Sequence, residues 1–184
     1  HFTAEPAYFE PKELVIRRTL SQMREVFAYQ DAVNTSLESG DRLIVEVFMA
    51  PIPSEKGHFM PLMTVIYPGM IGGEYHMTKG HIHKDRENSP EVYLTLKGQG
   101  KLIMQSLEGE MKILDMLPNT INYIPSGWAH RSINISLDKE LVFLGVYLAD
   151  AKRDYSFIGL GKENFHQIVV EKNGKPEIVD FPSS

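Results

Sequence analysis

No cysteine occurs among the 184 residues. Disulfides, thiolate metal sites and a cysteine nucleophile are therefore excluded, and the absence fits a reducing compartment. No apolar run approaches the roughly 18 residues of a membrane-crossing helix, so no membrane partner is expected. No basic segment followed by an apolar stretch opens the sequence, so export is not indicated and a cytoplasmic location is the expectation. Basic charge is also scarce, with 19 Lys and Arg against 24 Asp and Glu and a net charge of −5. A general nucleic-acid binder needs a basic face, so nucleic acid is not an expected partner. An anionic small molecule is still compatible, because a pocket can be locally positive on an acidic protein.

What the chain has is enough apolar matter for one core, 42% of its residues, in a length that suits a single domain. Within it, residues 1–40 read as an N-terminal extension, 41–160 as a barrel core and 161–184 as C-terminal strands. The extension holds the one good helix pattern, MREVFAYQDAV, where Met23, Val26, Phe27 and Ala32 recur at roughly helical spacing. From Arg42 onward the runs LIVEVFMA, MPLMTVIYPG, EVYLTLKGQGKLIMQSLEGEMKILDM, NYIP and ELVFLGVYLA are short, β-branched and aromatic, and punctuated by Gly, Pro, Asn and Asp. That pattern predicts an all-β barrel or sandwich. Lys97-Gly98-Gln99-Gly100 and Glu108-Gly109-Glu110 read as hairpin turns. Leu117-Pro118-Asn119-Thr120 reads as a β-turn with Asn119 left-handed, and Asn173-Gly174 as the turn of a closing hairpin.

The chemistry gathers in four residues. His81 and His83 are two apart, which on a strand puts both imidazoles on one face, close enough to share a metal. Glu91 opens EVYLTLKG, with Tyr93 pointing the same way. His130 lies far downstream in PSGWAHRSIN. An isolated His-x-His pair is more often two ordinary histidines, and Glu91 alone is more often a solvated carboxylate. In the order HxH…E…H, within a chain of short strands, three imidazoles and a carboxylate can hold a divalent ion and leave positions open for substrate. Such a mixed N/O set suits iron(II) first, with manganese, nickel, cobalt or zinc as alternatives. Of the remaining histidines, His58 and His166 read as surface, while His76 lies near enough to the ligand strand to approach a pocket.

Pro125 to Asn134 matches the second cupin motif, PxGxxHxxxN, and Glu91 to Gly98 has the spacing of the first. More closely, TVIYPG, TKGHIH, EVYLTLKGQG, YIPSGWAHR and VYLADAKRDY resemble the cupin-type glucose-6-phosphate isomerases known mainly from archaea, from about residue 42 to the C-terminus. The resemblance implies a cupin jelly-roll β-barrel, here with a short N-terminal helix, assembled as a homodimer. It implies a metal held inside the barrel by His81, His83, Glu91 and His130. It further implies that Thr64, Thr78, Gly80 and Tyr147 hold a substrate phosphate, and that Tyr93 and Tyr155 line the pocket.

There are departures. KDRENSP, between His83 and Glu91, is slightly longer than the family's connection. Asn119 stands where the second motif prefers Gly. A pocket tyrosine of the family becomes Val45, and the histidine of its ADAGHDY block becomes Arg153, which either adds charge for a phosphate or is simply solvated.

The implied reaction moves hydrogen between C1 and C2 of glucose 6-phosphate and fructose 6-phosphate. It needs a base, for which Glu91 is the candidate, and stabilisation of negative charge on oxygen. A direct hydride shift would need the metal and no base. Thr78, Gly80 and Lys79 form a coherent phosphate segment, although strand alternation expects Lys79 at the rim. Competing readings are a mannose-6-phosphate isomerase, an iron dioxygenase, or a sugar-binding cupin without catalysis.

Overall fold

The computed structural model describes residues 2–4, 7–9, 14–156 and 165–182. Short strands β1 (Phe2–Ala4) and β2 (Ala7–Phe9) pair with each other, and β3 spans Leu14–Thr19. Two helices follow, α1 (Leu20–Met23) and α2 (Gln30–Glu38). The first group of barrel strands is β4 (Leu43–Met49), β5 (Phe59–Ile66), β6 (Met70–Ile71), β7 (Glu74–Tyr75), β8 (Ile82–His83) and β9 (Glu91–Lys97). Then come β10 (Gly100–Gln105), β11 (Met111–Met116), β12 (Ile121–Ile124), β13 (Ala129–Asn134) and β14 (Leu141–Leu148). β15 (Arg153–Asp154), β16 (Gln167–Lys172) and β17 (Lys175–Asp180) close the chain.

One layer is a six-stranded sheet in the order β12-β9-β14-β5-β4-β3. The other is built on β11-β10-β13. It is continued by the segment around residues 77–83 through the bridges Met77↔Ile133 and His81↔His130, and then by β15 against β8. From β8 onward the chain alternates between layers: β8 to β9, β9 to β10, β11 to β12, β12 to β13 and β13 to β14 each cross over. Such repeated crossing makes the two sheets a jelly roll, the all-β fold expected from the short-strand pattern. On β9 the alternation is plain, with Glu91, Tyr93 and Thr95 buried inside and Val92 exposed outside.

Three sequence expectations change. The single helix over 23–33 is broken: a 3₁₀ turn covers Arg24–Val26 and Phe27 is extended. The amide of Ala28, which would have continued the helix, donates to Glu74 at 2.8 Å, and the Gln30 side chain donates to the carbonyls of Arg24 and Phe27. The break lets adjacent Val26 and Phe27 both enter the core. Residues 97–100 are not a hairpin, because β9 and β10 lie in different sheets; the segment is a crossover, and Gly98 takes φ +81° there against the carbonyl of Glu140. The first forty residues also supply β3, which extends the six-stranded sheet at its β4 edge.

Other turns form as read. β10 and β11 pair across Glu108-Gly109-Glu110. Asn119 is left-handed at φ 67°, within a turn closed by Thr120 N–H to Leu117 O at 2.9 Å. Asn173 and Gly174 both have positive φ in the β16–β17 hairpin, which pairs locally.

Candidate active site

Between the layers lies a cavity of about 60 Å³, whose lining includes Thr64, Thr78, Gly80, His81, Glu91, Tyr93, His130 and Tyr155. β-Pairing assembles it. His81 pairs with His130 across the bridge, β9 brings in Glu91 from the opposite sheet, and β8 places His83 beside them. The ligand atoms of His81, Glu91 and His130 lie within 4.8 Å of one another. His83 Nε2 joins at 3.5 Å from Glu91 Oε2, and His130 Nε2 lies 3.1 Å from the same oxygen.

The protonation pattern tells what this cluster can hold. His83 Nδ1 faces the carbonyl of Ser89 at 2.9 Å, and His130 Nδ1 faces that of Trp128 at 3.2 Å. A carbonyl accepts only, so each Nδ1 carries the proton and each Nε2 presents a lone pair. Those lone pairs point at a carboxylate oxygen. Nε2 of His81, His83 and His130 and Oε2 of Glu91 are all buried with no hydrogen-bond partner. Several acceptors converging with no donor between them are repulsive unless a cation sits among them. The four residues therefore fit a divalent metal.

The electrostatics agree. Burial, the largest cause, and the nearby Arg153 charge hold His81 well below the ordinary imidazole value, so it stays neutral as a ligand must. Burial also lowers His83. Burial pushes Glu91 up, but His130, His83 and Arg153 outweigh it, and the carboxyl lies below its usual range. Tyr93 is held well above its ordinary value by burial and then by Glu91, so it keeps its proton.

Thr64, Thr78, Gly80 and Tyr155 line the cavity. Thr78 Oγ1 accepts the Ser132 amide at 3.0 Å, which leaves its own proton to donate. Gly80 has φ +72°, and a Cβ there would come within 2.9 Å of Phe165. Tyr147 is off the cavity lining: its ring lies against His83 at 5.6 Å and it opens to a groove with Ser54 and Ala149. His76 is turned away, with Nδ1 3.1 Å from the carbonyl of Tyr67. Lys79, expected at the rim, lines the cavity with Nζ 5.8 Å from the centre of the Tyr155 ring.

Two cations join them, Arg18 unplaced by sequence reasoning and Arg153 left open there between the pocket and solvent. Arg18 reaches the cavity from β3 directly opposite Val45, and Arg153 lines it from β15. Nothing in the local pattern of LVIRRT separates inward Arg18 from outward Arg17. The strand register does.

A model of the family described as glucose-6-phosphate isomerase matches residues 54–179. The chain belongs to the glucose-6-phosphate isomerase family. A glucose-6-phosphate isomerase of Thermococcus litoralis is 42% identical over 165 residues, covering 90% of this chain and 85% of that protein. That of Pyrococcus horikoshii is 37% identical over 178 residues, covering 97% and 92%. Among solved structures, a variant of Bacillus subtilis oxalate decarboxylase overlays on 58% of this chain and 26% of its own, with TM-score 0.47 and 21% identity. The family is thus shown over most of the chain, and the acceptor cluster lies inside the matched region.

Proposed function

We propose that this chain is a metal-dependent aldose–ketose isomerase that interconverts glucose 6-phosphate and fructose 6-phosphate. The observation that carries the proposal is the convergence of three imidazole lone pairs and the Glu91 carboxylate in a cavity, inside a chain of the glucose-6-phosphate isomerase family. His81, His83, Glu91 and His130 would hold the ion, with iron(II) the first choice from the mixed N/O donors. When bound, a divalent ion supplies a Lewis acid that polarises the sugar carbonyl and stabilises negative charge on its oxygen.

The chain's own residues do the rest. Glu91 takes the proton from C2 of the open-chain aldose and returns it to C1. Tyr93, which keeps its proton, relays the hydroxyl proton of O2 to O1. The aldehyde carbon becomes CH₂OH, the C2–O bond becomes the ketone, and no atom is gained or lost.

Thr64, Thr78, Gly80 and Tyr155 hold the phosphate end, with Arg18 and Lys79 supplying positive charge. Tyr147 acts from behind His83, fixing that ring. We further place the protein in the cytoplasm as a homodimer. Among the described residues no helix is long and apolar enough to cross a membrane.

The test is purified protein with fructose 6-phosphate, before and after chelation and after adding back iron(II) or manganese(II). Glucose 6-phosphate should form only with metal present. Its absence under all conditions would reject the isomerase, and oxygen uptake in its place would point to dioxygenase chemistry.

A further inference from the structure

Arg153 is a half-buried cation beside the metal-ligand cluster that makes no ion pair among the described residues. β15 pairs antiparallel with β8, and the register sets Arg153 opposite His83. Directly opposed residues share a face of the sheet, so the guanidinium points the way His83 does, into the barrel. It lines the cavity with His81, Glu91 and Tyr93. Its Nε is buried and has no hydrogen-bond partner among the described residues. Among those residues no carboxylate pairs with it; the ion pair next door is between Arg86 and Asp154. Its support is the Tyr147 ring, 5.0 Å from the guanidinium carbon, and a cation over an aromatic face keeps its full charge.

The strands also fix which end of the substrate Arg153 meets. On β14, Tyr147 is level with Glu91, whereas Phe143 is level with Thr64. Four residues of strand separate the two levels by about 13 Å. Arg153, in contact with Tyr147, therefore belongs to the metal-ligand end, and Thr64 belongs to the other.

We propose that Arg153 contacts the substrate at its reacting end, binding the negative charge that builds on O1 and O2 as the C2 proton leaves. The assignment rests on the isomerase reading and deepens it. A guanidinium held against the Tyr147 ring, with an Nε–H that makes no hydrogen bond among the described residues, needs little reorganisation when that charge appears, and its planar fork suits two oxygens on adjacent carbons. Arg153 is thus a second source of oxyanion stabilisation, one that remains when the metal is removed.

The test compares two five-carbon probes by calorimetry on chelator-treated protein. Arabinonate 5-phosphate carries a planar carboxylate where the charge would develop, and arabinitol 5-phosphate carries a neutral hydroxymethyl group there with the same phosphate. Wild type should prefer the carboxylate. Arg153→Met should lose roughly 10- to 100-fold in affinity for arabinonate 5-phosphate while binding arabinitol 5-phosphate as wild type does. Arg153→Lys should keep part of the preference.

If metal-free wild type shows no preference, the proposal is overturned whether or not the variants fold. It is also overturned if folded Arg153→Met keeps the preference. Isomerase turnover by metal-loaded wild type is measured alongside. Its absence rejects the isomerase reading, whereas active enzyme with an unaltered preference in the variant rejects only the role of Arg153.

Discussion

A carboxylate buried between two imidazoles, as Glu91 is between His83 and His130, has no water to share its charge with. Both imidazoles use their protons on carbonyls, so the carboxylate's ionised form depends on positive charge nearby, which Arg153 supplies and a bound divalent ion would add. Glu91→Gln keeps the shape and removes the charge. It should lower isomerase turnover by roughly 100-fold or more, since the proton acceptor is lost. Bound metal per subunit should fall too, measured by elemental analysis after dialysis. Turnover near wild type with a full complement of metal would take Glu91 out of the chemistry.

His76 is different: buried, outside the cluster, and serving the fold. Burial lowers its pKa from 6.5 to about 4. Between those values the unfolded chain binds a proton that the folded chain does not. The contribution of neutral His76 to stability is therefore complete above pH 6.5 and is lost as pH falls toward 4. The loss should reach about 3 kcal/mol at the acid end. His76→Gln, which keeps a donor for Tyr67, should flatten the fall in melting temperature across that window. An equally steep fall in the variant would assign the acid sensitivity elsewhere.

At the scale of elements, the connection from β9 to β10 shows what a linear reading sees and what it does not. Gly98 and Gly100 announce a tight reversal, and the chain does turn there. Whether it returns along the same sheet or passes to the facing one is decided by which strands β9 and β10 pair with, β12 and β14 for the one and β11 and β13 for the other, all later in the chain. Gly98 combines φ +81° with contact against the Glu140 backbone, so a methyl group has neither a conformation nor a space. Gly98→Ala should cost about 3 kcal/mol or more, read as a lower midpoint in urea unfolding.

The same contrast governs the site. His81, His83 and His130 were legible because short motifs with fixed spacing put them on barrel strands, and Glu91 because it heads one. Arg18 was not, because adjacent arginines on β3 are separated only by register against β4. The broken helix was hidden for a similar reason: Glu74, far along the chain, takes the Ala28 amide.

Over the whole molecule, the outer surface of the six-stranded sheet is apolar in two adjoining rows. Tyr123, Val92 and Val146 are register neighbours across β12, β9 and β14, and so are Ile121, Leu94 and Leu144. Ile121 is 70% exposed and Tyr123 57%, on the edge strand of the sheet. Val92, Ile121 and Tyr123 are exposed and Leu94, Leu144 and Val146 half-buried, an apolar face that a second copy would cover by packing the same surface against itself about a twofold axis. The proposed homodimer is built there. Sedimentation should give a species of twice the 20.9 kDa chain mass, and Ile121→Asp with Tyr123→Asp should give the single chain. The alternating inward residues Asn122 and Tyr93 are untouched by those changes. The monomeric variant should therefore still turn over fructose 6-phosphate. A wild type that sediments as a monomer would leave the apolar face without this explanation. A dimer unaffected by both aspartates would move the interface to another surface.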